Sequence, residues 1–344
     1  MKKIAIIFGG EGAERAVSEK SAAAIIKKSS DCAELIQVGI DRDGFWFIYS
    51  GETERIKDSS WRHDAERLTP TYPVRIHGTS GLLTDGGVIP IDLAFPILHG
   101  DMGEDGTVQG TLRTAHIPYI GSGVIPSAVS ADKAFTKIIA EHLGIRTAPW
   151  FIPKGNMRAA KREAEGRLGY PMFIKPRRLG SSIGARAVKR PRDFADAYRE
   201  AHTLSDGLIM IEAEISVSAE LELALYDGEE RFITSPGAIH SHGETYTFEK
   251  KYSSTDSPKT EISPRLDRAT LREARRTARL LADYLGLGNI SRIDFFLTSS
   301  GDLIFNEINS VPGMTETSLY PALVESALGP GRFPDGLYRS STTQ

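Results

Sequence analysis

Five apolar residues, Ile4 to Phe8, run straight into Gly9-Gly10-Glu11-Gly12. Helical spacing follows over Ser18–Lys28, and a second apolar run covers Leu35–Ile40. Strand, glycine turn, helix and strand in that order is the opening of an α/β fold. Residues 41–90 break the pattern. Asp43-Gly44, the alternation at Phe45-Trp46-Phe47 and the turn-rich sequence around Gly78–Gly87 read as an insert, part hairpin and part loop. The α/β pattern resumes with an apolar strand at Ile91–Leu98, a helix at Thr107–Ala115 and a short strand at Tyr119-Ile120.

A second region begins near Val124. It reads as a helix over Ala131–Leu143, a strand at Met172–Lys175, a Gly/Ser loop over Pro176–Gly184 and a return strand at Ala185–Val188. A helix at Asp193–Ala201 and a strand at Leu208–Glu212 complete it. A third region has strands at Glu220–Tyr226 and Arg231–Ser235, then a helix at Arg268–Leu285 with a solvated basic face. A hairpin of Ile290–Leu297 and Leu303–Ile308 follows. The end, Gly329 to Gln344, is rich in Gly, Pro, Ser and Thr and reads as a loose tail.

At 344 residues the chain has room for two or three domains. Its 42 basic and 45 acidic residues leave a formal charge of −3, which argues against a nucleic-acid binder. One cysteine, Cys32, excludes an internal disulfide and a cysteine-based zinc site, and fits a reducing compartment. The apolar stretch after Met1-Lys2-Lys3 ends at Gly9, too soon for a signal peptide, so the expected location is cytoplasmic, with no membrane partner.

Four segments could carry chemistry. Gly10-Glu11-Gly12 supplies two glycines of a dinucleotide fingerprint, but the third place is Arg15, so an NAD-linked oxidoreductase is disfavoured. The cluster is either a plain strand-to-helix turn or one that presents Glu14 at the sheet's carboxyl edge. His99 to Gly106, with three acids and three glycines after a strand, suits a small zwitterion, and His99 is either structural or part of that site. Lys175 to Gly184 joins a lysine to a Gly-Ser-Ser loop whose N–H groups can approach phosphate; a flexible hairpin turn is the alternative. In the last hairpin, a turn at Ser299–Asp302 sets Asp294 opposite Glu307 and Arg292 opposite Asn309, all on one face. Opposed carboxylates repel unless a hard cation such as magnesium lies between them; a solvated face with Glu307 paired to Arg292 is the alternative.

With Lys175, the Gly-Ser-Ser loop and Asp294/Glu307/Asn309 in place, the chain resembles the D-alanine–D-alanine ligases of the ATP-grasp superfamily. The resemblance runs through Phe8-Gly9-Gly10, Ala13-Glu14-Arg15, His99-Gly100, Gly103-Glu104-Asp105-Gly106, Ser130-Ala131-Asp132-Lys133, Glu249-Lys250-Lys251-Tyr252, Asn306-Glu307-Ile308-Asn309 and Pro312-Gly313-Met314-Thr315. It implies a Rossmann-like N-terminal domain over 1–121, followed by a two-lobed ATP-grasp fold over 122–213 and 214–344. It implies ATP, two magnesium or manganese ions and a homodimer.

By the same resemblance, Lys133 and Lys175 meet the ATP phosphates, with Gly180, Ser181, Ser182, Lys251, Asn306 and Glu307 as further nucleotide contacts. Glu212, Ala213 and Ile215 lie at the adenine and Glu220 takes the ribose; Ala213 stands where several members carry lysine. Asp294, Glu307 and Asn309 hold metal. Glu14 and His99 sit by the first D-alanine, and Glu14, Ser181 and Tyr252 form a hydrogen-bonded set. Arg292 and the Gly313 N–H face an oxyanion. Ser318 and Leu319 meet the second D-alanine, Leu319 keeping that site apolar. Ser253–Glu261 and the Gly-Ser loop are the lid candidates. A ligase with another acceptor, such as D-serine, and a non-catalytic nucleotide-binding regulator are the competing readings.

Overall fold

The computed structural model describes residues 1–29, 32–240 and 259–340. It is a mixed α/β molecule with three sheets. The first segment contributes β1 (Lys2–Gly9), α1 (Arg15–Lys28), β2 (Ala33–Ile40), β3 (Trp46–Tyr49), α2 (Thr53–Lys57), β4 (Leu68–Ile76), β5 (Thr79–Thr84), β6 (Gly87–Pro90), β7 (Leu93–Pro96) and α3 (Thr107–Thr114). Its seven-stranded sheet runs β6-β5-β4-β3-β2-β1-β7. β1 pairs in parallel with both β2 and β7, and residues 4–9 are buried, as expected for a strand covered on both faces. The insert adds antiparallel strands at one edge.

The second segment holds α4 (Val124–Ala131), α5 (Lys133–His142), β8 (Trp150–Phe151), α6 (Met157–Arg167), β9 (Met172–Pro176), β10 (Arg186–Val188), α7 (Phe194–Leu204) and β11 (Ile209–Ala213). Its sheet runs β10-β9-β11-β8. The third holds β12 (Val217–Asp227), β13 (Arg231–Ile233), β14 (Gly237–His240), β15 (Lys259–Glu261), α8 (Arg268–Leu285), β16 (Ile290–Thr298), β17 (Leu303–Asn309), α9 (Leu319–Leu328) and α10 (Asp335–Arg339). Its sheet runs β15-β14-β12-β16-β17, with β13 beside β12. No described helix is long and apolar enough to cross a membrane.

Local chemistry explains α8 to the residue. Asp267 accepts the N–H groups of Ala269 and Thr270 at its start, and left-handed Gly286 (φ 66°) closes it. Ala274, Ala278, Leu281 and Ala282 form the buried stripe against Leu221, Leu223 and Phe295.

Several expectations change. The helix expected over Ala131–Leu143 is α5, Lys133–His142; Ala131 instead ends α4, because Asp132 is extended (φ −103°, ψ 104°) and caps α5. The strand expected over Ile91–Leu98 is only Leu93–Pro96, and Tyr119 makes a single parallel bridge to Ala94. Helix α6 is an addition. Its two buried residues are Ala160 and Ala164, too weak a stripe to stand out. The tail is not loose as far as Ser340: Phe333, Leu337 and Tyr338 are buried in the core shared with β1, β7 and α9. Lys2 Nζ donates to the Tyr338 carbonyl at 2.9 Å.

Candidate active site

The hairpin of β16 and β17 places Arg292 opposite Asn309 and Asp294 opposite Glu307, as expected. The register is not uniform, however. Beyond the site Phe295 pairs with Phe305, so Asn306 is an extra residue in β17, a bulge beside the carboxylates. Glu222 of β12 lies opposite Asp294 on the other side. Three carboxylates therefore form a row across three strands, and cations balance it. Arg292 grips Asp294 through two bonds of 2.8 and 2.7 Å and reaches Glu222 at 3.3 Å. Lys133 reaches Glu307 at 3.4 Å. Asn309 Nδ2 donates to Asp294 at 2.9 Å. Burial alone would lower the Arg292 guanidinium; Asp294 and Glu222 outweigh it and raise it well above its ordinary value.

A cleft of about 360 Å3 opens beside this row. Lys133, Lys175, Ser182, Glu212, Ala213, Ile215, Glu220, Asp294, Asn306 and Glu307 line it, together with Phe173 and Phe296. A second cavity, of about 380 Å3, is lined by Gly100, Glu104, Gly180, Asn309 and Ser310. Lys133 and Glu307 line both, so the two spaces meet at one ion pair.

Two loops close on Glu14. The Ser181 hydroxyl donates to its carboxylate. A Cβ at Gly100 would sit 2.6 Å from Glu14 Oε2 and one at Gly180 2.8 Å, so only glycine allows both loops this close. Ser181 and Ser182 are left-handed (φ 50° and 60°), strain of a kind kept at ligand-holding segments. Tyr252, the expected third member of this set, and Lys251, an expected nucleotide contact, lie outside the described residues, as do residues 253–258 of the expected lid. Its remainder, Lys259–Glu261, is strand β15.

Several residues here were not singled out in the sequence. Lys137, one turn after Lys133 on α5, reaches Glu212 at 3.2 Å from a fully buried position. Lys175 bonds the other Glu212 oxygen. Burial alone would raise the Glu212 carboxyl; the two ammonium groups more than offset it and hold it down to about 2. The i, i+4 lysine spacing could have flagged Lys137. Glu222 was detectable as the alternate residue after Glu220, on the same face of β12.

Glu104 is the other. Its two oxygens accept the N–H groups of Gly100 at 3.0 Å and Val311 at 3.1 Å, tying the acidic loop to the segment after β17. Burial, then the charge of Glu14, push its carboxyl up to about 8. The sign is that of a raised acid. The stability contributed by the protonated form is complete below the ordinary value of 4.5 and is lost as pH rises to about 8. Over this window the melting temperature of the wild-type chain should fall more than that of Glu104→Gln. Parallel curves would show that Glu104 ionises normally.

Two of the residues expected at the substrates also make contacts within the fold. His99 lines neither cavity. Its Nδ1 meets the Val311 carbonyl at 2.9 Å and its Nε2 the Ser21 hydroxyl at 3.1 Å, and Ser21 Oγ also accepts the Met314 N–H at 3.2 Å. With both nitrogens engaged, and burial lowering its proton affinity against the pull of Glu14, His99 anchors the loop that carries Gly313. Leu319 also lines neither cavity: its side chain packs on Gly237 and Leu323 in the core. Ser318, the residue before α9, accepts the Thr315 N–H at 3.0 Å, and a Cβ on Gly313 would sit 3.0 Å from its hydroxyl.

The donor set suits a hard divalent cation: two carboxylates, plus the amide oxygen that Asn309 keeps after its Nδ2 turns to Asp294. The Lys133 ammonium beside Glu307 shows that this row attracts positive charge.

Comparison with known proteins finds relatives over nearly the whole chain. Residues 3–122 match the family described as D-ala D-ala ligase N-terminus, and residues 139–329 match D-ala D-ala ligase C-terminus. The chain is 34% identical over 336 residues to a D-alanine–D-alanine ligase of Thermoanaerobacter sp. (strain X514), covering 95% of this chain and 92% of that protein. It is 36% identical to the ligase of Caldicellulosiruptor bescii, covering 94% and 90%. Among solved structures, the VanG D-Ala:D-Ser ligase of Enterococcus faecalis superposes with a TM-score of 0.84 at 34% identity, covering 95% of each chain. The D-alanine–D-alanine ligase of Coxiella burnetii also gives 0.84, at 25% identity, covering 98% and 92%.

Proposed function

The chain belongs to the D-alanine–D-alanine ligase family, and from that premise we propose that it joins two D-alanines at the expense of ATP, for peptidoglycan precursor synthesis. The observation that carries the assignment to this site is the pair of cavities sharing Lys133 and Glu307. A nucleotide in the cleft and an amino acid in the second cavity would meet there, where a phosphoryl group has to pass.

A carboxylate is a poor acyl donor. The first D-alanine therefore attacks the γ-phosphorus through a carboxylate oxygen, ADP leaves, and an acyl phosphate forms. Lys133 and Lys175 offset the charge of bringing two anions together, with Gly180, Ser181, Ser182 and Asn306 around the phosphates. Ala213 and Ile215 flank the adenine beside the buried Glu212 carboxylate, and Glu220 takes the ribose. Glu14, held by Ser181, receives the ammonium of the first D-alanine. The amine of the second D-alanine attacks the acyl carbon. Arg292 and the Gly313 N–H stabilise the tetrahedral oxyanion, whose collapse expels phosphate. Ser318 and the first N–H groups of α9 suit the carboxylate of the second D-alanine.

Asp294, Glu307 and Asn309 would hold magnesium or manganese, up to two ions, which when bound neutralises phosphate charge. We assign residues 1–121 to a Rossmann-like substrate domain, and 122–213 and 214–344 to two ATP-grasp lobes. The enzyme acts as a cytoplasmic homodimer.

The test is phosphate release with every combination of ATP, magnesium and D-alanine, with D-serine and D-lactate as alternative acceptors and products identified by mass. Release only when all three are present, with D-alanyl-D-alanine as product, is expected. A mixed D-alanyl-D-serine product in preference would move the reading to the D-serine type. NAD reduction without ATP turnover would overturn it.

A further inference from the structure

We propose that Asp132 is a positioning residue for the nucleotide grip, locking the two phosphate lysines to one another without touching ATP. The proposal rests on the reading of the cleft as an ATP site. Lys133 and Lys175 come from different elements, the start of α5 and the end of β9, yet both must meet one triphosphate. Asp132, next to Lys133 in the chain, is 1% exposed, lines neither cavity and bonds Arg177, two residues after Lys175.

Its carboxylate does three things. Oδ1 accepts the Ala134 N–H at 3.1 Å and so caps the helix that begins at Lys133. Both oxygens take the guanidinium of Arg177, from Nε at 3.0 Å and Nη2 at 2.7 Å. Oδ2 also accepts Arg178 Nε at 3.1 Å. A forked pair of this kind fixes orientation as well as distance. Lys133 N donates to the Arg177 carbonyl at 3.0 Å, and Lys133 Nζ to the Leu179 carbonyl at 2.8 Å. The base of the Gly-Ser loop is thus tied to the helix that carries the other lysine. Misplacement of a charged group by about 1 Å can cost about a hundredfold in rate, so such a tie is worth more to catalysis than to folding.

The experiment measures the ATP and D-alanine KM, kcat, and the melting shift on adding Mg-ATP, for the wild-type chain, Asp132→Asn and Arg177→Lys. Asp132→Asn keeps the cap acceptor and the shape but removes the charge. Its ATP KM should rise about tenfold, that of Arg177→Lys about threefold, and the D-alanine KM should change less than about twofold. The Mg-ATP melting shift should shrink in the same order.

An unchanged ATP KM with a lowered melting temperature would overturn the proposal, since a merely structural residue behaves so. If Asp132→Asn does not fold, Arg177→Lys decides in the same way. A wild-type chain that binds Mg-ATP but makes no dipeptide would sink the proposed reaction instead, and the melting shifts of the variants would still decide the role of Asp132.

Discussion

Glu307→Gln is expected to lose about a hundredfold or more of its ATP-dependent turnover while remaining folded. The substitution keeps the size and one oxygen but removes the charge. Glu307 lies at the junction of the two cavities and opposite Asp294. Residues directly opposed on paired strands have Cβ atoms about 4.5–5.5 Å apart, and like charges there repel, which a bound cation would relieve. In the protein as described, Arg292 takes up the charge of Asp294, and Lys133 approaches Glu307 at 3.4 Å. That last contact is partly solvated, so losing it should cost at most about 1 kcal/mol. A small drop in melting temperature, a weakened requirement-saturation curve for magnesium and a much smaller Mg-ATP melting shift are the combined signature. Near-normal turnover with the full melting shift would refute the metal assignment.

Arg292→Lys should lower kcat by about a hundredfold to a thousandfold, the usual loss when one oxyanion donor goes. Lysine retains a positive charge for Asp294 and Glu222 but cannot reproduce the planar fork that now spans both. The conservative change is the informative one. Arg292→Met would remove the cation that faces two largely buried carboxylates, at about 3–5 kcal/mol, and would confuse catalysis with unfolding. Because the guanidinium acts on the transition state, KM for ATP should move little. A kcat within a few-fold of wild type, measured by phosphate release at saturating substrates, would remove Arg292 from the oxyanion site.

Much of the architecture is local enough to be read along the chain. Helix α8 follows from its cap, its stripe of alanine and leucine and its closing glycine, all within twenty or so residues. The pairing of Asp294 with Glu307 follows from a short turn and from alternation along two strands. The Lys175 loop is legible because lysine, glycine and serine at a strand's end have a chemistry of their own.

Other features of the site join groups that are distant in sequence. His99 is 212 residues from the Val311 carbonyl that engages it. No periodicity shows that both its nitrogens are taken. Leu319 opens a helix with apolar residues around it, and only the packing of Gly237 beneath shows which way its side chain faces. The bulge at Asn306 preserves the expected pairs at the site while shifting every pair nearer the turn. The charge balance was equally hidden: Lys137 and Glu212 lie on α5 and β11, and the paired Asp132 and Arg177 are 45 residues apart in the chain. Most of the strands and helices, and the chemical groups the loops carry, are legible along the chain, because backbone geometry repeats over two to four residues. Which group neutralises which, and which side chain faces the cleft, was left to the tertiary structure. Burial and Coulomb attraction act through space and take no account of distance along the chain.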